Sequence, residues 1–350
     1  MSRLKVVVVG SGIVGSSFSW WLSVAGAEVT VVTRDGPGIG DSATSSSWSW
    51  INAGRGASLE YSRFRLRSIR IWDELLARVS GIPVSGNGSL FWDKSRERLE
   101  AIERKFSSLG LDCEFLTATR LASVAPYLKE LPPFAVLTRS DRAIEPVQAA
   151  EALLKASGAT VINARVQALI ADDSRISGVM TARGRIPADE VVVAAGLGSS
   201  ELLQSAGLKL GLNSTDGVLA YSSPMPGFLN HLVIDPRFHV RQDWMGRLVV
   251  GGRFDGQGAE VPSQVAARRQ FDLAMSSLDC KHEPVLDFFT VGRRVLPVDG
   301  LPKIGRLGGL GGLYLAVMHS GMTNAAAAGK FGTQEILTGN RDKALKPFSP

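Results

Sequence analysis

The sequence predicts an α/β fold in which a discontinuous domain, built on parallel βαβ units, carries an inserted, mainly antiparallel-sheet domain. Three observations predict it. A strand–turn–helix–strand pattern opens the chain at Lys5. Strands of the buried parallel type recur at residues 190–194 and 313–318. Between residues 217 and 254 the pattern changes to short hairpin-like strands, as in HVRQDWMGRLVVGGRF.

Residues 5–9 are β-branched and almost wholly apolar, as a strand covered on both faces should be. A glycine-rich turn leads into a helix over residues 13–25, ended by Gly26. Residues 28–32 form the second strand. The polar stretch 35–56, DGPGIGDSATSSSWSWINAGRG, is a long loop, and such loops inside a compact domain usually serve function. An amphipathic helix follows over 59–79, then a strand over 89–92 and a charged helix over 94–109. Glu145-Pro146 starts another helix, with proline in its first turn. Residues 160–166 and 176–181 read as strands, and 190–194 as a buried strand closed by Ala195-Gly196 and followed by a helix over 198–206. After the hairpins come a helix over 262–278, the segment RRVLPVDGLPKIGR, the strand 313–318, an HSG turn and a helix over 322–337.

Composition excludes several classes. Of 350 residues, 45% are hydrophobic and 21% charged, too apolar a mix for a disordered chain. The net charge of +6 comes from dispersed Lys and Arg, not from the dense basic stripe of a nucleic-acid binder. It leaves a slight preference for anionic small molecules. The two cysteines, Cys113 and Cys280, are too few for a disulfide scaffold or a metal site, which fits a reducing cytosol. Gly10, Ser11, Gly12 and Gly15 interrupt the N-terminal apolar run, so it does not read as a signal peptide. No apolar stretch reaches membrane-spanning length. The expectation is a cytoplasmic protein without an integral membrane segment.

Gly10-Ser11-Gly12-Ile13-Val14-Gly15 lies directly after a strand and opens a helix. The first glycine makes the tight turn and the second lets a pyrophosphate approach the backbone. The third packs helix on strand, and the helix N-terminus faces the phosphate charge. The motif is weak alone and strong in this context; the competing reading is a structural turn. The acid expected at the end of the second strand is replaced by Thr33, followed by Arg34 and Asp35. Thr33 or Asp35 would then meet the ribose, or Arg34 would take a 2′-phosphate. The motif alone leaves FAD and NADP open.

GSGIVG, ATSSSWSWINAG, VVVAAGLGS, GRRVLPVDGLPKIG and VMHSGMTNAAAAGK occur in this order. Together they resemble the D-amino-acid oxidase family of FAD-dependent oxidoreductases, which includes glycine oxidase and sarcosine oxidase. The resemblance covers nearly the whole chain and is weakest over residues 80–142. It implies a Rossmann-type FAD-binding domain over 1–80, 143–212 and 290–350, and a substrate domain over 81–142 and 213–289. It implies that Thr44, Ser45, Ser46 and Ser47, and then Asn52, Ala53 and Gly54, pass beside the pyrophosphate and flavin. Val166 would meet the adenine, and Ala195 and Gly196 the pyrophosphate and ribityl chain. His319, Ser320, Gly321, Met322 and Thr323 would form a turn whose amides face the flavin pyrimidine, where a helix dipole favours negative charge. Arg294 matches the arginine that grips a substrate carboxylate. The family's next residue is proline, here Val295, and Arg293 stands beside it. An ion pair of Arg294 with Asp299 is the structural alternative. Ile51 and Arg293 stand where some members carry the His or Cys that bonds FAD, so non-covalent FAD is expected.

The implied reaction oxidises the C–N bond of an amino acid or secondary amine by hydride transfer to flavin N5, with oxygen as acceptor and hydrogen peroxide as product. Alternatives are a dehydrogenase using another acceptor, oxidation of a 2-hydroxy acid, an NADP-dependent dehydrogenase, or a flavin-bound subunit without turnover. Tyr221 and Arg241 either line the substrate cavity or pack within the sheet. Arg55 is a second carboxylate or phosphate partner, or a loop charge. Trp48 and Trp50 shield the flavin, contact an apolar substrate or pack. Lys303 is a candidate cation near the oxygen site. His231, His239 and His282 read as surface or packing residues. Oligomeric state is left open, a homo-oligomer included.

Overall fold

The computed structural model describes residues 3–252 and 263–350. A six-stranded sheet runs in the order Lys303–Arg306, Leu313–Val317, Glu190–Val193, Lys5–Val9, Glu28–Thr33 and Thr160–Asn163. All its pairings are parallel except that of the edge strand Lys303–Arg306. The unbroken valine run has a direct cause. Val6 and Val8 enter one core, with the helices Ile13–Val24 and Gly321–Thr338. Val7 and Val9 enter the other, with Leu169, Ile176 and Val179 of a separate antiparallel sheet. Strand side chains alternate, so a strand covered on both faces shows no alternation in its sequence. Burial of each such valine contributes about 1.5–3 kcal/mol.

The helices Ile13–Val24 and Gly321–Thr338 pack through small residues. Ala325, Ala326, Ala327 and Ala328 are all buried, and Ser17 Oγ donates to the Ala325 carbonyl at 2.8 Å. This brings the N-termini of both helices toward one cleft.

The second large sheet has eight strands, ordered Leu286–Pro297, Leu212–Ser222, Leu248–Gly251, His239–Gln242, Leu232–Ile234, Ser89–Phe91, Phe134–Thr138 and Cys113–Thr117. Its one parallel pairing joins Leu232–Ile234 to Ser89–Phe91. Leu212–Ser222 and Leu286–Pro297 pair from Leu212 with Pro297 to Ser222 with Leu286. The expected domain edges at 212/213 and 289/290 fall on this one ladder. It returns the chain from the antiparallel sheet to the parallel one.

Some expectations need correction. The single strand expected over 160–166 is two, Thr160–Asn163 in the parallel sheet and Val166–Asp172 in the separate antiparallel one. The chain leaves the parallel sheet after the Ala164 N–H reaches the Thr33 carbonyl at 2.8 Å. The long loop contains a short strand, Trp50–Ile51, paired with Arg142–Ile144. Pro262, the expected start of a helix, and Arg253-Phe254, the expected end of a hairpin, lie outside the described residues; the helix is seen over Ser263–Ser277.

Candidate active site

A cavity of about 1110 Å³ runs along the C-terminal ends of the strands Lys5–Val9, Glu28–Thr33 and Leu313–Val317 and reaches the antiparallel sheet. It is lined at one end by the Gly10–Val14 turn. Gly10 adopts φ +100°, and a Cβ there would stand 2.6 Å from the Ala194 carbonyl oxygen. A Cβ on Gly15 would stand 2.0 Å from the Gly10 carbonyl oxygen, which is why the helix can begin directly on the strand. Gly12 at the N-cap gives no side-chain cap, and the first turn carries no acid. Thr44 Oγ1 accepts from the Ile13 N–H at 3.1 Å, tying the Ser-rich loop to this turn. The remaining bare amides, beside hydroxyls and a positive dipole end, form an anion site.

Thr33 is buried; it shares a 2.7 Å hydrogen bond with Ser11 Oγ and donates to the Asp35 carbonyl at 3.0 Å. Arg34 lines the cavity, but its Nη2 meets Asp35 and Asp41, each at 2.9 Å. Its charge is therefore balanced by two carboxylates, which argues against a 2′-phosphate there. Val166 lines this end beside Ala164 and Gln167, and Ala195 and Gly196 line the wall beside the first turn, with Ala195 Cα 3.2 Å from where a Cβ on Gly10 would stand.

At the other end, His319, Ser320, Gly321 and Met322 line the cavity at the start of the helix Gly321–Thr338. Ser320 is in the left-handed region at φ +56° and gives no side-chain cap, so the helix amides face the cavity uncapped. Arg65 fixes this arrangement. Its Nε donates to the Asn52 carbonyl at 2.9 Å and its Nη2 to Asn52 Oδ1 at 2.8 Å and Thr323 Oγ1 at 3.4 Å. Thr323 Oγ1 in turn donates to the Trp50 carbonyl at 3.1 Å. One buried guanidinium thus joins the loop to the C-terminal helix.

The antiparallel sheet supplies the remaining wall. Arg294 lines the cavity beside Gly217, where a Cβ would lie 3.0 Å from two of its guanidinium nitrogens. Asp299 pairs with Lys303 at 2.8 Å, not with Arg294. Lys303, the candidate cation near an oxygen site, pairs with Asp299 and is not among the residues that line the cavity. His239 is buried edge-on to Trp48 at 4.4 Å. Burial, with Arg294 and Arg55 adding repulsion, holds it down to about 3, so it is neutral. His319 is pulled down to about 4 by loss of hydration and by Arg65 and Arg294. Asp141, fully enclosed, is pushed up to about 7 by burial, against hydrogen bonds from Ser89 at 2.7 Å and the Trp50 indole at 2.9 Å.

The structure therefore brings together Gly10, Ser11, Gly12, Ile13, Val14, Thr33, Arg34, Thr44, Ser46, Ser47, Asn52, Gly54, Val166, Ala195, Gly196, Arg294, His319, Ser320, Gly321 and Met322. Six expected residues stand behind the wall. Gly15 packs the helix, and Thr323 braces the loop. Ala53 is core, and Ser45 Oγ donates to the Ser42 carbonyl at 2.7 Å. Tyr221 stacks on Phe288 at 4.5 Å instead of lining the cavity. Arg241 also does not reach the cavity: it pairs with Glu145 at 2.6 Å and donates to the Trp48 carbonyl at 2.9 Å. Arg241 answers to sheet packing, because all four residues of His239–Gln242 are buried. Sequence reasoning did not single out Arg65, and it read His239 as a surface or packing residue; His239 does pack, against Trp48, and it also lines the cavity. An arginine amid the apolar positions of an amphipathic helix, and a histidine in a strand, carry no signal until their neighbours are known. Among the described residues, no cluster of His, Cys, Asp or Glu could hold a metal, and no helix is long and apolar enough to cross a membrane.

Residues 5–334 match the family model described as FAD dependent oxidoreductase. A 4-methylaminobutanoate oxidase (formaldehyde-forming) of Paenarthrobacter nicotinovorans is 28% identical over 75% of this chain, which spans 33% of that longer relative. A glycine oxidase of Pseudomonas aeruginosa is 25% identical over 90% of this chain and 89% of its own length. A D-amino acid dehydrogenase of Rhizorhabdus wittichii is 26% identical over 97% of both. Among solved structures, a glycine oxidase from Bacillus cereus superposes with a TM-score of 0.84 at 20% identity, over 99% of this chain and 98% of its own.

Proposed function

Because the chain belongs to the FAD-dependent oxidoreductase family, we propose that it is an oxidase of the C–N bond of an amino acid or secondary amine, yielding an imine and hydrogen peroxide. The observation that carries this reading is the placing of Arg294 and the His319–Met322 turn on one cavity, between an anion-binding helix start and the antiparallel sheet. FAD bound in this cavity supplies the hydride acceptor.

The residues present fit that cofactor. The Gly10–Gly15 turn has no room for a Cβ at either glycine and leaves uncapped amides for a pyrophosphate. The hydroxyls of Ser11 and Thr44 lie at that turn, and Ser46 and Ser47 line the same cavity. The uncapped start of the helix Gly321–Thr338 favours negative charge on the flavin ring. Ile51, buried in the core, and Arg293 support non-covalent holding, and neither cysteine lines the cavity. Arg294 binds the substrate carboxylate and so orients the reacting carbon. His239, held neutral, adds no further positive charge at this end of the cavity. Trp48 and Trp50 exclude water from this end.

The test begins with the visible spectrum of purified protein, followed by denaturation and filtration. FAD released into the filtrate supports the cofactor and its non-covalent attachment; flavin left on the precipitate, or none, overturns that part. Anaerobic bleaching by amines, then rapid recovery with oxygen and formation of peroxide, supports an oxidase. Recovery only with a quinone or dye points to a dehydrogenase.

A further inference from the structure

The cavity wall beside the His319–Met322 turn carries a hydroxyl that the proposed function leaves unused, that of Tyr61. We propose that Tyr61 donates a hydrogen bond to a carbonyl oxygen of the flavin's pyrimidine ring, and so shares with the start of the helix Gly321–Thr338 the stabilisation of negative charge there. This rests on the FAD-binding part of the reading above and deepens it.

The direction of one hydrogen bond carries the inference. Asn324 is wholly buried and sends its amide nitrogen to two oxygens, the His319 carbonyl at 3.3 Å and the Tyr61 hydroxyl at 2.8 Å. The His319 carbonyl can only accept, so it fixes the amide nitrogen on this side. The reverse orientation would set the amide oxygen against the carbonyl oxygen, a repulsive contact; the observed one costs an unpartnered Oδ1. Tyr61 therefore accepts at its oxygen and keeps its own O–H to give. Among the described residues no group accepts from it. A phenol bonded only as an acceptor has one donor left over, and Tyr61 lines the cavity, where a ligand can take that donor.

The hydroxyl is held in place. Tyr61 lies in the first turn of the helix Leu59–Arg78, where Ser58 Oγ accepts from its backbone N–H at 3.2 Å. Its ring packs against Phe348, with centroids 5.5 Å apart, and under the Arg65 guanidinium at 5.5 Å. Nearby polar side chains are already committed, Asn52 to Trp50, Gly54 and Arg65, and Thr323 to Trp50. Asn324 also ties the phenol to the turn itself, because one amide nitrogen touches both. On the reading above, the pyrimidine edge of the flavin faces that turn, and its carbonyl oxygens only accept. A hydrogen bond to an oxygen strengthens as that oxygen gains negative charge, so this contact favours the electron-rich form of the ring.

The test uses the FAD-loaded protein and no amine. Tyr61→Phe removes one oxygen and keeps the ring packing. Two readouts report charge on the flavin: its midpoint potential, by equilibration with a reference dye, and the dissociation constant of sulfite, from bleaching of the flavin band. Tyr61→Phe should keep its FAD, weaken sulfite about 10-fold and lower the potential by about 30 mV, the equivalent of that factor for two electrons. A potential and a sulfite affinity equal to those of the unmodified protein overturn the inference. A second measurement needs no variant. Of the four tyrosines, Tyr61 alone is among the described residues that line the cavity. In protein labelled with 3-fluorotyrosine, one fluorine resonance should therefore move when dithionite reduces the flavin. If none moves, the inference is overturned whether or not Tyr61→Phe folds. Failure of the parent reading shows differently: a flavin that no amine bleaches refutes amine oxidation and leaves this contact standing, whereas a protein that takes up no FAD refutes both.

Discussion

Arg241 grips Glu145 through two guanidinium nitrogens, at 2.6 and 3.2 Å, and turns its Nε to the Trp48 carbonyl at 2.9 Å. Both side chains are nearly inaccessible to water. The pair joins the strand His239–Gln242 to the start of the helix Pro146–Ser157 and holds the Ser-rich loop between them. Arg241→Met strands a buried carboxylate and is expected to cost about 3–5 kcal/mol. Removing both charges, with Glu145→Leu added, should recover most of that loss. Urea unfolding of the two variants checks this, and a double variant no more stable than the single one defeats the account.

Gly15→Ala places a methyl group 2.0 Å from the Gly10 carbonyl oxygen. The helix start must shift, at about 1–3 kcal/mol, and the anion site shifts with it. The ratio of flavin to protein absorbance is expected to fall sharply. Gly227→Ala, where nothing lies within 4 Å of the new atom, is the control and should keep its flavin.

Arg294→Gln is expected to raise the KM of a carboxylated amine about 10- to 100-fold while leaving bound flavin unchanged. Gly217→Ala presses on the same guanidinium from 3.0 Å and should act in the same direction, less strongly. Steady-state peroxide formation at varied substrate distinguishes KM from kcat. An unchanged KM in Arg294→Gln removes this residue from substrate binding.

Asp141 titrates near 7 when folded, well above an ordinary aspartate. Its folded form therefore holds a proton that the unfolded chain has already lost. The stability it contributes is fully present below about pH 4 and drains away as pH rises toward 7, by about 1.4 kcal/mol per unit at most. Asp141→Asn has no such loss, so its stability relative to the unmodified protein should climb from pH 5 to 7 and then level off. His239, with its folded value pulled down to about 3, runs oppositely: its contribution is present above about 6.5 and lost on acidification. Denaturation of Asp141→Asn and His239→Asn at pH 5, 6, 7 and 8 reads both slopes, and parallel curves for all three proteins would refute them.

The sequence by itself determined the parallel sheet and the cofactor turn. Four consecutive valines followed by GSGIVG state their own environment, because β-branched residues without alternation require two covered faces and closely spaced glycines require close backbone approach. The ordered motifs likewise carried the family. Only the tertiary structure decided which arginines reach the cavity. Arg55, Arg65, Arg241 and Arg294 are the same residue type in strands, loop and helix, and nothing local separates an arginine that braces a loop from one that faces a ligand. Arg241 became a buried structural ion because Glu145, 96 positions away in the chain, arrives beside it. Arg55 kept its donors open because two aromatic rings, and no carboxylate, arrive beside it. A charge takes its role from its partner, and partners distant in sequence meet only when the chain folds.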